Sequence, residues 1–524
     1  MNPDHAQERK GQQIVVEEEE KLKVHAYPGI RTDGTRNTTT RVRRLFSSTQ
    51  IFFFALTFMS SWETMALNLQ AVFYNGGPQT LVWGILIVVA GALAQSASMA
   101  EMASAQPIAG AQYHWTHHLA PARARRFITW VQGEMTWFGW VSLLAGVANV
   151  TATMLQSLVA VNNAGYVPER WHLTLIIWAL CLVSALVNIY AFWLIPWLEM
   201  LAGFLHIILF VIFVAVLLAV GPRNSPGFVF LETAAASGWK NSYVSWNLGL
   251  LTPSWGFVGF DGAVHMSEEV RTARQAVPRA MFWSIALNAI LAYSIIIVIL
   301  FTMGDLDAAL NSSFPIVEIC TQATGSTKAA TAMVCGLLII STAVTISSVS
   351  STSRLTWAWS RDGALPEWFS YVNPRQRVPI RAVILPCIIV GLLAILNIPN
   401  SAAFLAFTAL ATFALFATYL IAISCMLYSR LRGTVQYGGW RLGKLGVPLN
   451  AFAILYTAYM MIFLVFPTQL PVTGTNMNYA LPIFGFVLLV ALVRWFVWAN
   501  KYWPGLNKEI IETVLADSDR NTKD

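Results

Sequence analysis

Twelve stretches of the chain are apolar over about the 20 residues that a helix needs to cross a bilayer core, and short polar segments separate them. They run near 45–74, 80–104, 127–160, 172–192, 194–220, 246–265, 280–303, 329–351, 379–398, 402–428, 447–466 and 480–499. The pattern predicts an all-α, polytopic membrane protein with about 12 transmembrane helices. The third stretch is longer than a bilayer requires, so it tilts or extends past the surface. The connections leave no room for a separate soluble domain.

Two of these stretches are interrupted. The first carries Phe58-Met59-Ser60-Ser61-Trp62-Glu63-Thr64. The sixth carries Trp255-Gly256-Phe257-Val258-Gly259-Phe260-Asp261-Gly262. Both place small or polar residues and a carboxylate near mid-membrane. Each glycine weakens a helix by roughly 1 kcal/mol relative to alanine. Broken backbone at that depth is tolerated only where it is buried in protein or lines a cavity. The interruptions open two blocks of five spans, 45–220 and 246–428, and an odd number of spans reverses the second block relative to the first. This is the sequence pointer to an inverted-repeat transporter whose site lies between the breaks. Residues 447–499 add two further helices, so the transporter domain is expected over 45–500. Glycine also serves close helix packing, which is the competing reading of the same residues.

Composition sharpens the membrane reading. The 524 residues are 56% hydrophobic and only 11% charged, against about 25% charged in soluble domains. The net charge of +7 points to basic cytoplasmic loops, not to nucleic acid. Fifteen arginines and lysines fall in the connections after spans two, six, eight and ten, and only Arg170, Arg223, Lys240 and Lys328 fall in the opposite loops. Both termini are therefore expected to be cytoplasmic. The polar segment 1–44 reads as a disordered tail, with Lys10, Lys21 and Lys23 available for modification or simply solvated; 501–524 reads as a second cytoplasmic tail. No cleavable leader is expected, so the first span directs insertion. The five cysteines lack metal-ligand spacing and read as small buried hydrophobes. Neither a metal nor another cofactor is expected. The sequon at Asn311 falls in an outer loop and is the one glycosylation candidate.

Four separated motifs carry a family resemblance. They are Ala100-Glu101-Met102-Ala103-Ser104-Ala105-Gln106-Pro107, continuing to Gln112-Tyr113-His114-Trp115; Gly259 to Val270, followed by Val277-Pro278-Arg279-Ala280; Ser360-Arg361-Asp362-Gly363-Ala364-Leu365-Pro366; and Leu470-Pro471-Val472-Thr473, continuing to Asn476-Met477-Asn478-Tyr479. In their order and spacing the chain resembles the amino acid–polyamine–organocation transporters, and more closely the fungal amino acid/choline permeases, which include gamma-aminobutyrate and choline carriers. The resemblance implies ten core helices in two inverted repeats plus two extra helices, broken helices 1 and 6, and a plasma-membrane location, the usual one in a family that also has vacuolar members. It also implies proton-driven uptake of a small amine or amino acid by alternating access.

The resemblance further implies that solute contacts the backbone freed at both breaks. By position these are Ser60, Ser61 and Trp62 in the first and Phe257, Gly259, Phe260 and Asp261 in the second. The first break here is Ser-Ser-Trp-Glu and not the glycine-rich stretch common among amino acid carriers. Glu63 is costly at a helix centre, by roughly 2.5–3.5 kcal/mol on insertion scales. It would attract an ammonium, carry the coupled proton, or bond a neighbouring helix. Asp261 has the same options. Trp62, Trp255, Phe257 and Phe260 offer faces for cation–π contact. Thr345 and Ser348 are candidates for lining the cavity. His206 and Glu134 are candidates for proton coupling or for ordinary structural bonds. Glu101 is expected to brace the inner loop with arginines, and Glu268, Glu269, Arg271, Arg361 and Asp362 to sit at the inner face as gate pairs or as a solvated loop. A non-transporting receptor of the same fold and a membrane-embedded enzyme are the competing classes. The enzyme would have to use His114, His117 and His118, which lie beside Arg123–Arg126.

Overall fold

The computed structural model describes residues 42–506 apart from 234, 235, 313 and 475, together with 511 and 512. The tail expected over 1–44 falls outside these residues except for 42–44, and so does most of 501–524. Among the described residues ten helices are long and apolar enough to cross a membrane. They coincide with ten of the twelve expected spans. The two remaining stretches are the interrupted ones.

The first stretch folds as α1 (Ser48–Met59), α2 (Ser61–Leu67) and α3 (Leu69–Tyr74). A capping box between Ser47 and Gln50 starts α1, and Ser60 ends it in the left-handed region at φ 40°. The second span is α4 (Ile85–Ala105), after a π turn. Then follow α5 (Gln112–Leu119), α6 (Arg125–Asn162), α7 (Arg170–Tyr190), α8 (Ile195–Val220) and the short α9 (Pro226–Leu231). The second interrupted stretch is α10 (Ser242–Gly249), α11 (Leu251–Trp255) and α12 (Gly262–His265), with α11 and α12 separated by irregular chain. Next come α13 (Ala273–Thr302), α14 (Leu306–Asn311), α15 (Pro315–Thr324), α16 (Thr327–Arg361), α17 (Ile380–Ala394), α18 (Ser401–Leu431), α19 (Gly446–Phe463), α20 (Ala480–Arg494) and α21 (Asn500–Tyr502). No strand occurs among the described residues; Phe46 and Val270 form an isolated bridge that ties the start of the first broken stretch to the end of the second.

The helices pack in pairs: α4 on α13, α6 on α16, α7 on α17, and α1 against α13 and α8. Exposed apolar residues such as Phe204, Ile208 and Val211 on α8 suit lipid and not water.

The structure corrects two boundaries. α16 runs ten residues past the expected end at 351, so Arg354 and Arg361 lie on a helix and not in a loop. The segment from Ser347 to Thr356 looks polar enough to leave the membrane, yet most of its hydroxyls bond back to carbonyls on the preceding turn, as Ser348 does to Val344 at 2.7 Å and Thr356 to Thr352 at 2.7 Å, while Ser351 donates to the Gly262 carbonyl at 3.1 Å. Those bonds satisfy the hydroxyls, and the segment stays buried. α13 likewise starts at Ala273, seven residues early, with Pro278 inside it. The connections expected at 221–245 and 304–328 contain the short helices α9, α10, α14 and α15, which apolar length alone does not reveal. Asn311 ends α14.

Candidate functional site

The two breaks meet. The Ser61 hydroxyl donates to the Gly256 carbonyl at 2.6 Å. The Ser61 N–H donates to Asn288 Oδ1 at 3.2 Å, and Asn288 Nδ2 donates to the Leu56 carbonyl at 3.0 Å. Asn288 on α13 thus takes the donor that the break in the first helix frees, and adds a second donor to the Leu56 carbonyl, which also accepts the Ser60 N–H at 3.4 Å. Such groups must find partners where water is absent. At the second break Gly259 has φ 89°, and a Cβ there would lie 2.8 Å from Phe58 Cε1. Both the backbone conformation and the approach of α1 require glycine.

Beside the breaks lies a small cavity of about 60 Å³. Ser60, Glu63 and Thr64 line one wall, Trp255 and Val258 another, and Ser341 on α16 a third. Phe58 also reaches it. The walls use residues after the first break, the later part of α6 and the earlier part of α16. The cavity therefore lies on the side of the breaks away from the arginine-rich end of the bundle.

Glu63 is 2% exposed and occupies the first turn of α2, where the helix N-terminus favours negative charge. His206 Nδ1 lies 2.6 Å from Glu63 Oε1. Trp62 points away from the cavity; its Nε1 donates to the His206 carbonyl at 3.2 Å, and its ring packs on Phe210 and Phe213.

Asp261 sits below the cavity, toward the arginine-rich end, and is fully buried. Its Oδ1 accepts from the Tyr419 hydroxyl at 2.5 Å. Its Oδ2 accepts from Gln112 Nε2 at 2.5 Å and Trp140 Nε1 at 3.1 Å, with His265 Nε2 at 3.6 Å. Tyr419 also accepts the Gly259 N–H at 3.4 Å and packs on Phe260. This junction joins the second break to α5, α6 and α18.

Of the expected site residues, Ser60, Glu63 and Trp255 line the cavity. Ser61, Trp62, Phe257, Gly259, Phe260, Asp261, Thr345 and Ser348 do not. Thr345 donates to the Ser341 carbonyl at 2.9 Å, and Ser348 to Val344; Ser341, one turn earlier than Thr345, supplies the hydroxyl at the cavity. Glu134 lies elsewhere, 2.5 Å from Arg494 Nη1.

The arginine-rich end is tied by ion pairs. Glu101 pairs with Arg430 and accepts from the Leu442 N–H. Glu268 makes two bonds to Arg361, at 2.9 and 3.0 Å. Glu269 meets Arg354 at 3.0 Å. Asp362 accepts from Tyr113 at 2.7 Å and meets His114 at 2.9 Å. Burial pushes the Glu269 carboxyl up to about 7, with Arg354 only partly opposing it. Burial also opposes charge on Asp362, but His114, Arg361 and Tyr113 together hold its carboxyl below the usual range. Burial, with His114 and Arg125 nearby, takes His117 down to about 4. Among the described residues no three His, Cys, Asp or Glu side chains are grouped to hold a metal ion.

Sequence reasoning missed Asn288, Gln112, Tyr419 and Glu199. Asn288 and Glu199 carried a usable signal, since each is a polar residue inside an apolar span. Gln112 and Tyr419 carried none, because only the fold brings them to Asp261.

Residues 46–489 match the amino acid permease family. The chain is 29% identical over 474 residues to the choline transporter of Saccharomyces cerevisiae, covering 89% of this chain and 82% of that protein. It is 32% identical over 483 residues to amino-acid permease 2 of Neurospora crassa, covering 88% and 86%. It is 28% identical over 483 residues to the GABA-specific permease of Saccharomyces cerevisiae, covering 88% and 83%.

Proposed function

The chain belongs to the amino acid permease family, and from that premise we propose that it imports a small amine-bearing solute by proton symport. It is a multi-pass membrane protein and a transporter. The solute class we infer is an amino acid, gamma-aminobutyrate or choline, carried by alternating access across the plasma membrane with both termini cytoplasmic. Relatives named for choline and for GABA support that range.

The observation that carries the reading is Glu63 on the wall of a cavity between two broken helices. A carboxylate, in a cavity that Trp255 and Phe58 also line, suits an ammonium or quaternary ammonium group. Ser60, Thr64 and Ser341 offer hydroxyls for the rest of the solute. Asp261 holds the second break to α18 and transmits its movement. The ion pairs at the arginine-rich end form the closed inner gate. The twelve-span count and the inverted repeat are part of this proposal. Their support is that the two broken stretches open equivalent blocks and that α4 on α13, α6 on α16 and α7 on α17 pair like with like.

Uptake of labelled amines into cells lacking their own amine permeases tests the reading. Saturable uptake that collapses with an uncoupler is expected. A surface-expressed protein that moves none of a broad panel would defeat it and favour a receptor.

A further inference from the structure

Seven carboxylates are buried among the described residues, and six have a histidine or arginine within ion-pair reach. The seventh, Glu199 on α8, has none. It lies where α8 packs on α1 and α16, fully buried. Its Oε2 is 2.6 Å from Thr57 Oγ1 on α1, and Ser347 on α16 stands beside it. Its Oε1 has no partner. Gly203, one turn further along α8, lets the Phe53 ring of α1 approach closely.

Proton counting and burial together favour a neutral carboxyl. The Thr57 hydroxyl has one hydrogen. It lies 2.8 Å from the Phe53 carbonyl and 3.3 Å from the Phe54 carbonyl, which can only accept. If that hydrogen goes to the helix carbonyl, the short contact to Glu199 needs a second hydrogen, and Glu199 must supply it. An ionised carboxylate buried here without a cation would be very costly. Ser347 is similarly engaged with the Ala343 and Val344 carbonyls, both at 3.1 Å.

No neighbouring element supplies a compensating charge. α1 has no titratable residue. α13 carries Arg274, Arg279 and Tyr293, α15 carries Glu318 and Cys320, and α16 carries Lys328, Cys335, Arg354 and Arg361. None of these forms an ion pair with Glu199. The nearest ionisable pairs along the two helices flanking it are His206 with Glu63, two turns along α8, and Arg354 with Glu269, two turns along α16 from Ser347.

We propose that Glu199 is a proton-binding residue of the transport cycle, separate from the solute-facing Glu63, and that its protonated form latches α1 to α8 and α16. The proposal rests on the transporter reading above. When α1 swings off α8, water reaches the carboxyl, its O–H bond breaks, and the proton passes to that water. The carboxylate left behind cannot re-enter the dry interface until it is protonated again. Movement of α1 and release of the proton are thereby one event.

The test uses the purified full chain in vesicles, with the membrane potential clamped and a gradient of one pH unit. For one-to-one symport wild type accumulates its solute about tenfold, the factor that one pH unit supplies. Glu199→Gln, fixed in the neutral shape, should lose that accumulation and its dependence on the gradient while solute exchange stays measurable. Accumulation in E199Q that still follows the gradient overturns the proposal. If wild type itself moves no amine, the transporter reading fails on its own, and infrared spectroscopy then decides the protonation state. A neutral-carboxyl band at neutral pH that Glu199→Asp displaces is expected; its absence from wild type overturns the proposal. The same measurement decides if E199Q does not fold.

Discussion

His206 Nδ1 approaches Glu63 Oε1 to 2.6 Å, and the two residues come from helices 143 positions apart in the chain. Glu63 faces the cavity and His206 stands behind it. The pair ties the half-helix after the first break to α8, so a solute that engages Glu63 also acts on α8. Trp62, bonded to the His206 carbonyl, reinforces the same joint.

Glu63→Gln removes the charge and keeps the shape. A hydrogen bond to a charged group contributes roughly 1.5–3 kcal/mol, so KM for a cationic solute should rise about tenfold or more. Concentration-dependent uptake, corrected for surface expression, measures this. Wild-type kinetics would remove Glu63 from solute binding.

Asn288→Ala strands the Ser61 N–H and leaves the Leu56 carbonyl with only the Ser60 N–H at 3.4 Å. Each buried group left without a partner costs roughly 1–3 kcal/mol. The purified variant should melt at a clearly lower temperature than wild type. Unchanged melting would mean that the break does not depend on this side chain.

Gly259→Ala forces a side chain into the φ 89° position and against Phe58. Strained conformations of this kind cost of order 1–3 kcal/mol. Lower folded yield and weaker uptake are expected. A Phe58→Ala partner substitution should recover only the part due to contact, because the backbone strain stays. Full recovery would assign the whole effect to packing.

Glu269 sets a pH dependence. Its carboxyl rises from 4.5 to about 7 on folding, so between those values the folded chain binds more protons than the unfolded one. The stabilisation is complete below about 4.5 and is lost as pH rises through about 7. Melting temperature should therefore fall across neutrality in wild type, and Glu269→Gln should flatten that fall. Parallel wild-type and variant curves would exclude Glu269 as the source.

Much of the architecture was legible in the residues. Ten continuous helices stand where apolar runs stood, and the two runs holding Ser60 and Gly256–Gly262 are the two that break. The true end of α16 was not legible, because Ser347–Thr356 is polar by composition and is buried through bonds both to its own helix and to Asn188, Gly262 and Trp140 on others. Glu101 found its arginine as expected. The site was only partly legible: of eleven residues expected to contact solute, Ser60, Glu63 and Trp255 line the cavity.

The sequence by itself determined what is local: which segments are apolar enough to enter a membrane, where each helix weakens, and which loops carry arginine. A helix satisfies its own backbone, so its presence follows from consecutive residues. The partners of the buried charges were decided only by tertiary structure. Glu134 meets Arg494 across 360 residues, Asp261 meets Tyr419 across 158, and Glu199 meets Thr57 across 142. A buried carboxyl's role depends on whether its neighbour is a cation, a hydroxyl or a cavity, and packing between distant helices brings that neighbour into place.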